Sequence, residues 1–185
     1  DIAASVYGGL VYYRSFDFDF LTDALSNNVP VKDLVQMDWP HLQIERLTVP
    51  TSLYFMVGWT KEEAQTKPFI ERFQQLKETD FASYQAFLTE TDTIVETLRE
   101  SFKDNNQTGV LAGIRANRHL LKALQEKIGV PIETETLTTL IDSAKTGAFK
   151  TSGAGGGDCG IGFVSDKATF KQVKAAWLEH GIEYL

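Results

Sequence analysis

Glycine is concentrated in one segment of this 185-residue chain, Lys150-Thr-Ser-Gly-Ala-Gly-Gly-Gly-Asp-Cys-Gly160. Glycine loses more conformational entropy on folding than other residues, so such a run indicates backbone at positive φ or backbone that approaches a ligand closely. Amide groups turned into one concavity bind anions, and phosphate is the commonest of these. A flexible linker is the alternative. Apolar, strand-like residues flank the run at 148–149 and 161–164, which favours an ordered loop between two strands.

Composition restricts the class of protein. The apolar fraction of 43% and the charged fraction of 23% are typical of a soluble globular protein, and no window is apolar enough for a transmembrane helix. A net charge of −7 disfavours a nucleic-acid backbone as partner but leaves room for small phosphorylated ligands. The single cysteine, Cys159, fits a reducing cytoplasm. The three histidines are far apart in sequence, so we predict no metal site built from His and Cys.

Hydrophobic periodicity predicts a mixed chain of strands and helices. Residues 16–40 show no clear period and are predicted to be a long, irregular connection. The predicted strands are 8–14, 43–47, 52–58, the two segments beside the glycine run, and 182–185. The predicted helices are one that starts near Lys67, then 80–103, 108–128, 133–145 and 167–180, with Thr60 and Glu63 at the spacing of a capping box before the first. This pattern indicates an α+β fold with an antiparallel sheet of about four strands.

Three kinds of phosphate loop compete for the glycine run. A Walker A loop is excluded, because no lysine follows the glycines. Gly155-x-Gly157-x-x-Gly160 matches the dinucleotide fingerprint, but that motif needs a helix directly after the glycines, and a strand-like run follows instead. The third kind is a glycine loop between two antiparallel strands that supplements an anion site built mainly elsewhere.

Two motifs carry a resemblance to a known family. The segment Lys150 to Phe163 looks like the third conserved motif of the GHMP kinase superfamily, and Asp1-Ile-Ala-Ala-Ser-Val-Tyr-Gly-Gly-Leu-Val-Tyr12 resembles the segment after that superfamily's central ATP motif. Within the superfamily, both motifs are similar to those of the bacterial-type phosphomevalonate kinase family. Val57-Gly-Trp-Thr60 and Ile114-Arg-Ala-Asn-Arg118 are similar to its intervening segments. The main phosphate loop of the superfamily, of the type Gly-Leu-Gly-Ser-Ser-Ala, is absent from the chain.

The resemblance implies a fold and a function. It implies that residues 1–185 form a GHMP kinase C-terminal domain, ferredoxin-like, with helices layered on one face of the antiparallel sheet. It implies a fragment that lacks the N-terminal nucleotide-binding domain and is inactive alone. The intact protein is then expected to use ATP and Mg²⁺ to phosphorylate 5-phosphomevalonate. Another GHMP kinase such as mevalonate kinase, a non-catalytic ferredoxin-like regulatory domain, and a nucleotide-binding oxidoreductase remain alternatives.

The candidate site residues follow from the loop and from the resemblance. We expect Lys150, Ser152, Gly153, Ala154, Gly155 and Gly156 to contact phosphate of substrate or nucleotide. By resemblance, Asp1 occupies the position of the catalytic aspartate. A phosphomonoester acceptor is already mostly a dianion at neutral pH, so Asp1 is expected to orient a lysine or a magnesium ion beside it instead of acting as a base.

Four further residues have a functional and a structural interpretation. Asp158 either hydrogen-bonds the backbone to hold the loop or meets a substrate hydroxyl. Arg115 and Arg118 share a helix face and are expected to form surface salt bridges, with an anionic substrate as the alternative. Cys159 is expected to be a small core residue.

Overall fold

The chain folds into two units, residues 1–48 and 49–185, in a computed structural model that describes residues 2–64 and 66–185. The first unit begins with helix α1 (Ile2–Tyr7) and contains a two-stranded antiparallel sheet of β1 (Leu10–Arg14) and β2 (Gln43–Leu47). Both strands were predicted from the sequence. Gly8 and Gly9 lead into β1 with φ of 64° and 68°, a conformation that glycine adopts without strain.

The segment between these two strands was predicted incorrectly. Residues 16–40 are not irregular throughout, because they contain helix α2 (Phe18–Ser26) and the short helix α3 (Val31–Leu34). The side chain of Asp17 caps α2 by accepting a hydrogen bond from the amide of Asp19. The ring of Trp39 packs edge-on against Phe16 and Phe20, which ties this segment together by tertiary contact and not by periodicity.

The second unit is built on a four-stranded antiparallel sheet. Its strands are β3 (Tyr54–Trp59), β4 (Ala148–Thr151), β5 (Cys159–Val164) and β6 (Glu183–Tyr184). They lie in the order β4-β5-β3-β6, and each neighbouring pair is antiparallel. With helices between β3 and β4 and between β5 and β6, this is the ferredoxin-like βαββαβ arrangement. The predicted fold class is confirmed.

Five helices complete this unit. They are α4 (Thr66–Thr79), α5 (Phe81–Lys103), α6 (Gln107–Ile128), α7 (Glu135–Asp142) and α8 (Lys167–Glu179). Helices α7 and α8 pack on the sheet through a buried cluster that includes Met56, Leu140, Val164 and Trp177. Burial of a side chain of this size is worth about 1.5–3 kcal/mol, so this cluster fixes the sheet against the two helices.

A second cluster joins α4, α5 and α6. It contains buried Leu76, Leu124, Ile128 and Ile132 with a rim of phenylalanine and tyrosine rings. Gly129 ends α6 in the left-handed conformation, as its position before a proline predicted. Helix α7 is shorter than predicted, because the hydroxyl of Thr134 caps it and fixes its start two residues later.

Candidate functional site

The glycine loop, residues 152–158, connects the neighbouring antiparallel strands β4 and β5, as the sequence predicted. The amide of Ser152 donates to the carbonyl of Cys159 across the base of the loop at 2.8 Å. The φ angles of Gly153, Gly155, Gly156 and Gly157 are 56°, 74°, 80° and 138°. Residues with a Cβ adopt such angles only with strain, so the chain reverses here only because these positions are glycine.

The loop amides differ in whether they already have a partner. Gly155 donates to the carbonyl of Ser152 at 3.2 Å, and Gly156 donates to the carbonyl of Ile132 at 2.8 Å. The amide of Asp158 donates to the carbonyl of Glu62 at 2.9 Å. No described residue accepts a hydrogen bond from the amides of Gly153, Ala154 or Gly157. Gly157 is buried, so the donors left for an anion are those of Gly153 and Ala154, while Gly155 and Gly156 shape the loop.

Two other segments hold the loop on either side. On one side, both the amide and the hydroxyl of Thr60 donate to the carbonyl of Asp158 at 2.8 Å, so Thr60 anchors the loop and does not cap a helix. On the other side, the Ile132 carbonyl lies so close that a Cβ on Gly155 would overlap it. The carboxylate of Glu62 links the two flanking segments by accepting from the hydroxyls of Thr134 and Thr136.

Lys150 supplies a cation two residues before the loop. Its side chain is half-buried, and its Nζ donates to the carbonyl of Thr151 at 2.6 Å. Burial lowers the pKa of Lys150 to about 8, because a low-dielectric environment disfavours the ammonium form. No described carboxylate forms an ion pair with it. A half-buried cation close to the start of the glycine loop, with no carboxylate partner among the described residues, is suited to an anionic ligand.

The remaining predicted contacts lie around the same loop or outside the described residues. Gly153 is exposed, and Ser152 and Ala154 are half-exposed. The Ser152 hydroxyl makes no hydrogen bond to any described residue, so it too is available as a donor. Asp1 lies outside the described residues, and its catalytic role stays a prediction.

The main chain of Asp158 holds the loop, and Cys159 fits a packing role, while contact of the Asp158 carboxylate with a substrate hydroxyl stays a prediction. Both main-chain polar groups of Asp158 hold the loop, and its backbone lies at φ 61°. Burial raises the pKa of the Cys159 thiol, and the charge and hydrogen bond of Asp158 raise it further. A raised thiol pKa disfavours the thiolate that nucleophilic catalysis needs, which agrees with a packing role for this half-buried residue.

Arg115 and Arg118 lie beside a pocket of about 400 Å³ at the end of α7 and the start of β4. Arg118 binds both carboxylate oxygens of Glu133, at 2.8 and 2.5 Å, and Asp142 at 2.9 Å. Arg118 therefore forms a salt bridge, as predicted, but its main partner Glu133 is buried and not at the helix surface. Arg115 instead donates to the carbonyl of Gly147 at 2.6 Å.

The carboxylate of Glu133 is buried in this network. Burial favours its neutral form, but the hydrogen bonds and charge of Arg118, with Lys122 and Thr138, more than offset this and lower its pKa. Glu133 therefore stays ionised, with its side chain only 2% exposed.

Replacing Arg118 with methionine should lower the free energy of unfolding by about 2 kcal/mol at pH 7, because hydrogen bonds to a buried charge are worth about 1.5–3 kcal/mol. The folded-state pKa of Glu133 lies below its unfolded value of 4.5, so this stabilisation is present above pH 4.5 and is lost as pH falls through the folded-state pKa. Urea unfolding of Arg118→Met at pH 7 and at more acidic pH measures both effects. Arg115→Met, which loses one bond to a carbonyl, is the control, and an equal loss in both variants would contradict the assignment.

The described residues also bear on other kinds of site. In residues 2–64 and 66–185, no group of three or more His, Cys, Asp or Glu side chains is arranged to hold a metal ion. Over the same residues, none of the helices combines the length and apolarity that a membrane span needs.

Sequence reasoning missed the residues that hold the loop. Ile132 and Glu62 bind it through main-chain carbonyls, which leave no signature in the side chains. Thr60 was assigned to a capping box because a threonine followed by glutamate after three residues has that spacing. Only the fold shows that its hydroxyl reaches Asp158, 98 residues further along the chain.

Comparison with known proteins identifies the class of this fold and loop. The family described as "GHMP kinases C terminal" matches residues 94–183. The Lin0012 protein of Listeria innocua has a solved structure that is 36% identical and covers 100% of this chain and 52% of its own, with a TM-score of 0.94. The chain is thus similar to the C-terminal part of GHMP kinases.

Two named relatives are more specific. The curated phosphomevalonate kinase of Streptomyces sp. (strain CL190) is 34% identical over 98% of this chain and 50% of that protein. The Streptococcus pneumoniae phosphomevalonate kinase, solved in complex with phosphomevalonate and AMPPNP, is 30% identical, with a TM-score of 0.83 over 100% of this chain and 53% of that chain. The chain thus resembles phosphomevalonate kinases, and it spans about half the length of the relatives it matches.

Proposed function

We propose that this chain is the C-terminal part of an ATP-dependent kinase that converts 5-phosphomevalonate into 5-diphosphomevalonate, on the mevalonate route to isoprenoids. The main support for this proposal is the sequence identity of 34% to a phosphomevalonate kinase over 98% of the chain. We further propose that residues 1–185 act together with a preceding nucleotide-binding domain, in the cytoplasm, and that they lack activity alone.

The glycine loop suits the phosphate chemistry of such a reaction. In phosphoryl transfer the protein contributes positioning and neutralises charge that spreads over the transferred group. The amides of Gly153 and Ala154 and the hydroxyl of Ser152 are donors without a described partner, and Lys150 adds a positive charge. These groups are already oriented before the ligand arrives, which lowers the reorganisation needed during the reaction.

The described residues fit phosphate groups of ATP or of the acceptor. A Cβ at Gly153 would meet nothing within 4 Å, so the backbone there is open to a ligand. We propose that Mg²⁺ is held mainly by the nucleotide phosphates, with Asp1 orienting it or a lysine beside the acceptor. Bound to those phosphates, the ion would supply neutralising charge, while the chain's own residues bind and orient the acceptor.

The proposal is tested with the protein that contains this chain joined to its N-terminal domain. Release of ADP is measured with ATP, Mg²⁺ and either phosphomevalonate, mevalonate or no acceptor. We expect ADP release to depend on phosphomevalonate, with formation of the diphosphate seen by ³¹P NMR. Activity with mevalonate alone would establish the alternative GHMP kinase, and no activity with either acceptor would contradict the proposal.

A further inference from the structure

The carboxamide of Gln125 organises the connection that follows helix α6. Its Oε1 accepts hydrogen bonds from two main-chain amides, those of Ile132 at 2.8 Å and Glu133 at 2.9 Å. One side chain therefore accepts from two successive main-chain amides. These amides belong to a segment that lies between two helices and forms no helix or strand of its own. Loss of such an acceptor leaves partly buried amides without a partner, which is costly.

The segment that Gln125 holds is the one that supports the glycine loop. Ile132 is 1% exposed, and its carbonyl accepts from the amide of Gly156 at 2.8 Å. The same carbonyl lies against Gly155, where no Cβ fits. The position of the Ile132 peptide thus sets the position of residues 155 and 156, and through them of the two free amides that precede them.

The neighbouring residue fixes the same segment from a second direction. The Glu133 carboxylate is bound by Arg118 and accepts from the hydroxyl of Thr138 at 3.2 Å. The Nζ of Lys122 lies 3.5 Å from Oε1 of the same carboxylate. Helix α6 contains Arg118, Lys122 and Gln125. This helix therefore holds the segment that contacts the loop.

We propose that Gln125 is a positioning residue for the phosphate-binding loop, acting through the Ile132 carbonyl on Gly156. This inference rests on the proposed function, because it names how the same site is held in shape. Gln125 does not touch the substrate. It orients the amides of Gly153 and Ala154 by fixing the peptide against which the loop closes.

The test compares two variants in the full-length protein. Gln125→Met keeps the length of the side chain and removes the acceptor, while Gln125→Glu keeps an acceptor oxygen in the same place. We expect the KM for phosphomevalonate or ATP to rise about tenfold in Gln125→Met, a change that corresponds to one lost hydrogen bond between a loop amide and a phosphate group. In Gln125→Glu the KM should stay within about twofold of the wild type.

Two controls separate positioning from stability. Glu126→Gln changes an exposed side chain on the next position of α6 and should leave both KM and the unfolding temperature unchanged. Ile94→Ala removes buried volume from α5 and should lower the unfolding temperature without raising KM. A KM that follows the unfolding temperature in all variants would show a merely structural role for Gln125.

The outcomes distinguish this inference from the proposed function. If the wild-type protein phosphorylates phosphomevalonate and Gln125→Met has an unchanged KM, positioning by Gln125 is refuted and the function stands. If the wild-type protein does not phosphorylate phosphomevalonate, the proposed function is refuted. The inference fails with it where mevalonate is not phosphorylated either, whereas activity with mevalonate leaves the KM for ATP as the test of the loop.

Discussion

Replacing Gly155 with alanine should destabilise the second unit by about 3 kcal/mol and abolish measurable phosphate binding. Left-handed backbone costs a residue with a Cβ about 1–2 kcal/mol, and forcing atoms into a packed site costs about 1–3 kcal/mol more. Here φ is 74° and the new Cβ would overlap the carbonyl of Ile132. Because that carbonyl also holds Gly156, its displacement would move the whole loop. Urea unfolding and the KM of the full-length protein, in the kinase assay proposed above, measure the two effects.

The chain offers a matched control for this substitution. Gly181 has a φ of 75°, and a Cβ built there meets nothing within 4 Å. Gly181→Ala should therefore show only the conformational cost of about 1 kcal/mol, with KM unchanged. If both variants lose the same stability, backbone strain alone explains the requirement for glycine, and close packing against Ile132 does not.

Replacing Lys150 with methionine should lower kcat/KM about 100-fold, because loss of one donor aimed at developing charge typically costs about 10²–10³ in rate. The ammonium group donates to the carbonyl of Thr151, the residue before the glycine loop, and no described carboxylate forms an ion pair with it. Lys171→Met, which removes an exposed lysine of α8, is the control and should leave kcat/KM unchanged. Activity of Lys150→Met equal to that of the wild type would remove this residue from the site.

The same substitution should raise stability at neutral pH. The folded-state pKa of Lys150 is about 8, below its ordinary value of 10.5, so burial penalises the charged form of the folded protein. Wild-type stability rises with pH between these two values, because the unfolded chain then binds more protons than the folded one. Lys150→Met should thus have the higher unfolding temperature at pH 7, with the difference shrinking towards pH 10.5.

For the wild-type enzyme the pH dependence of activity has the opposite direction. Under the proposed function the protonated lysine binds phosphate, so kcat/KM should fall as pH rises through about 8. Lys150→Met should lack this decline. A decline that persists in the variant would assign the titration to another group.

The sequence predicted those elements whose signals are local. The alternating residues of β2 and the apolar run of β3 identified both strands, and Gly129 marked the end of α6. The position of the glycine run between two strands indicated a loop joining antiparallel neighbours. These features depend on period and on backbone conformation, which can be read from a few consecutive residues.

The features that the sequence did not predict depend on contacts between distant parts of the chain. Helix α2 was missed because the rings of Phe16, Phe20 and Trp39, and not a long apolar stripe, hold its surroundings together. The lowered pKa of Lys150 arises from burial, which no sequence motif encodes. For the glycine loop, residue type predicted which positions bend, but the partners of Gly155 and Gly156 are carbonyls whose location only the fold determines.

The anchoring of the glycine loop by residues 60–62 and by Ile132 has a consequence for how the protein acquires its activity. Thr60 is separated from Asp158 by 98 positions, and closing such a long stretch of chain has an entropic penalty that is repaid only after other contacts have formed. Because Trp59 pairs with Cys159 at the adjacent position of β3 and β5, we expect the loop to take its final shape together with this long-range pairing, after the local helices have formed. Recovery of ligand affinity should lag behind recovery of helical circular dichroism, which makes phosphate affinity a sensitive indicator of complete folding.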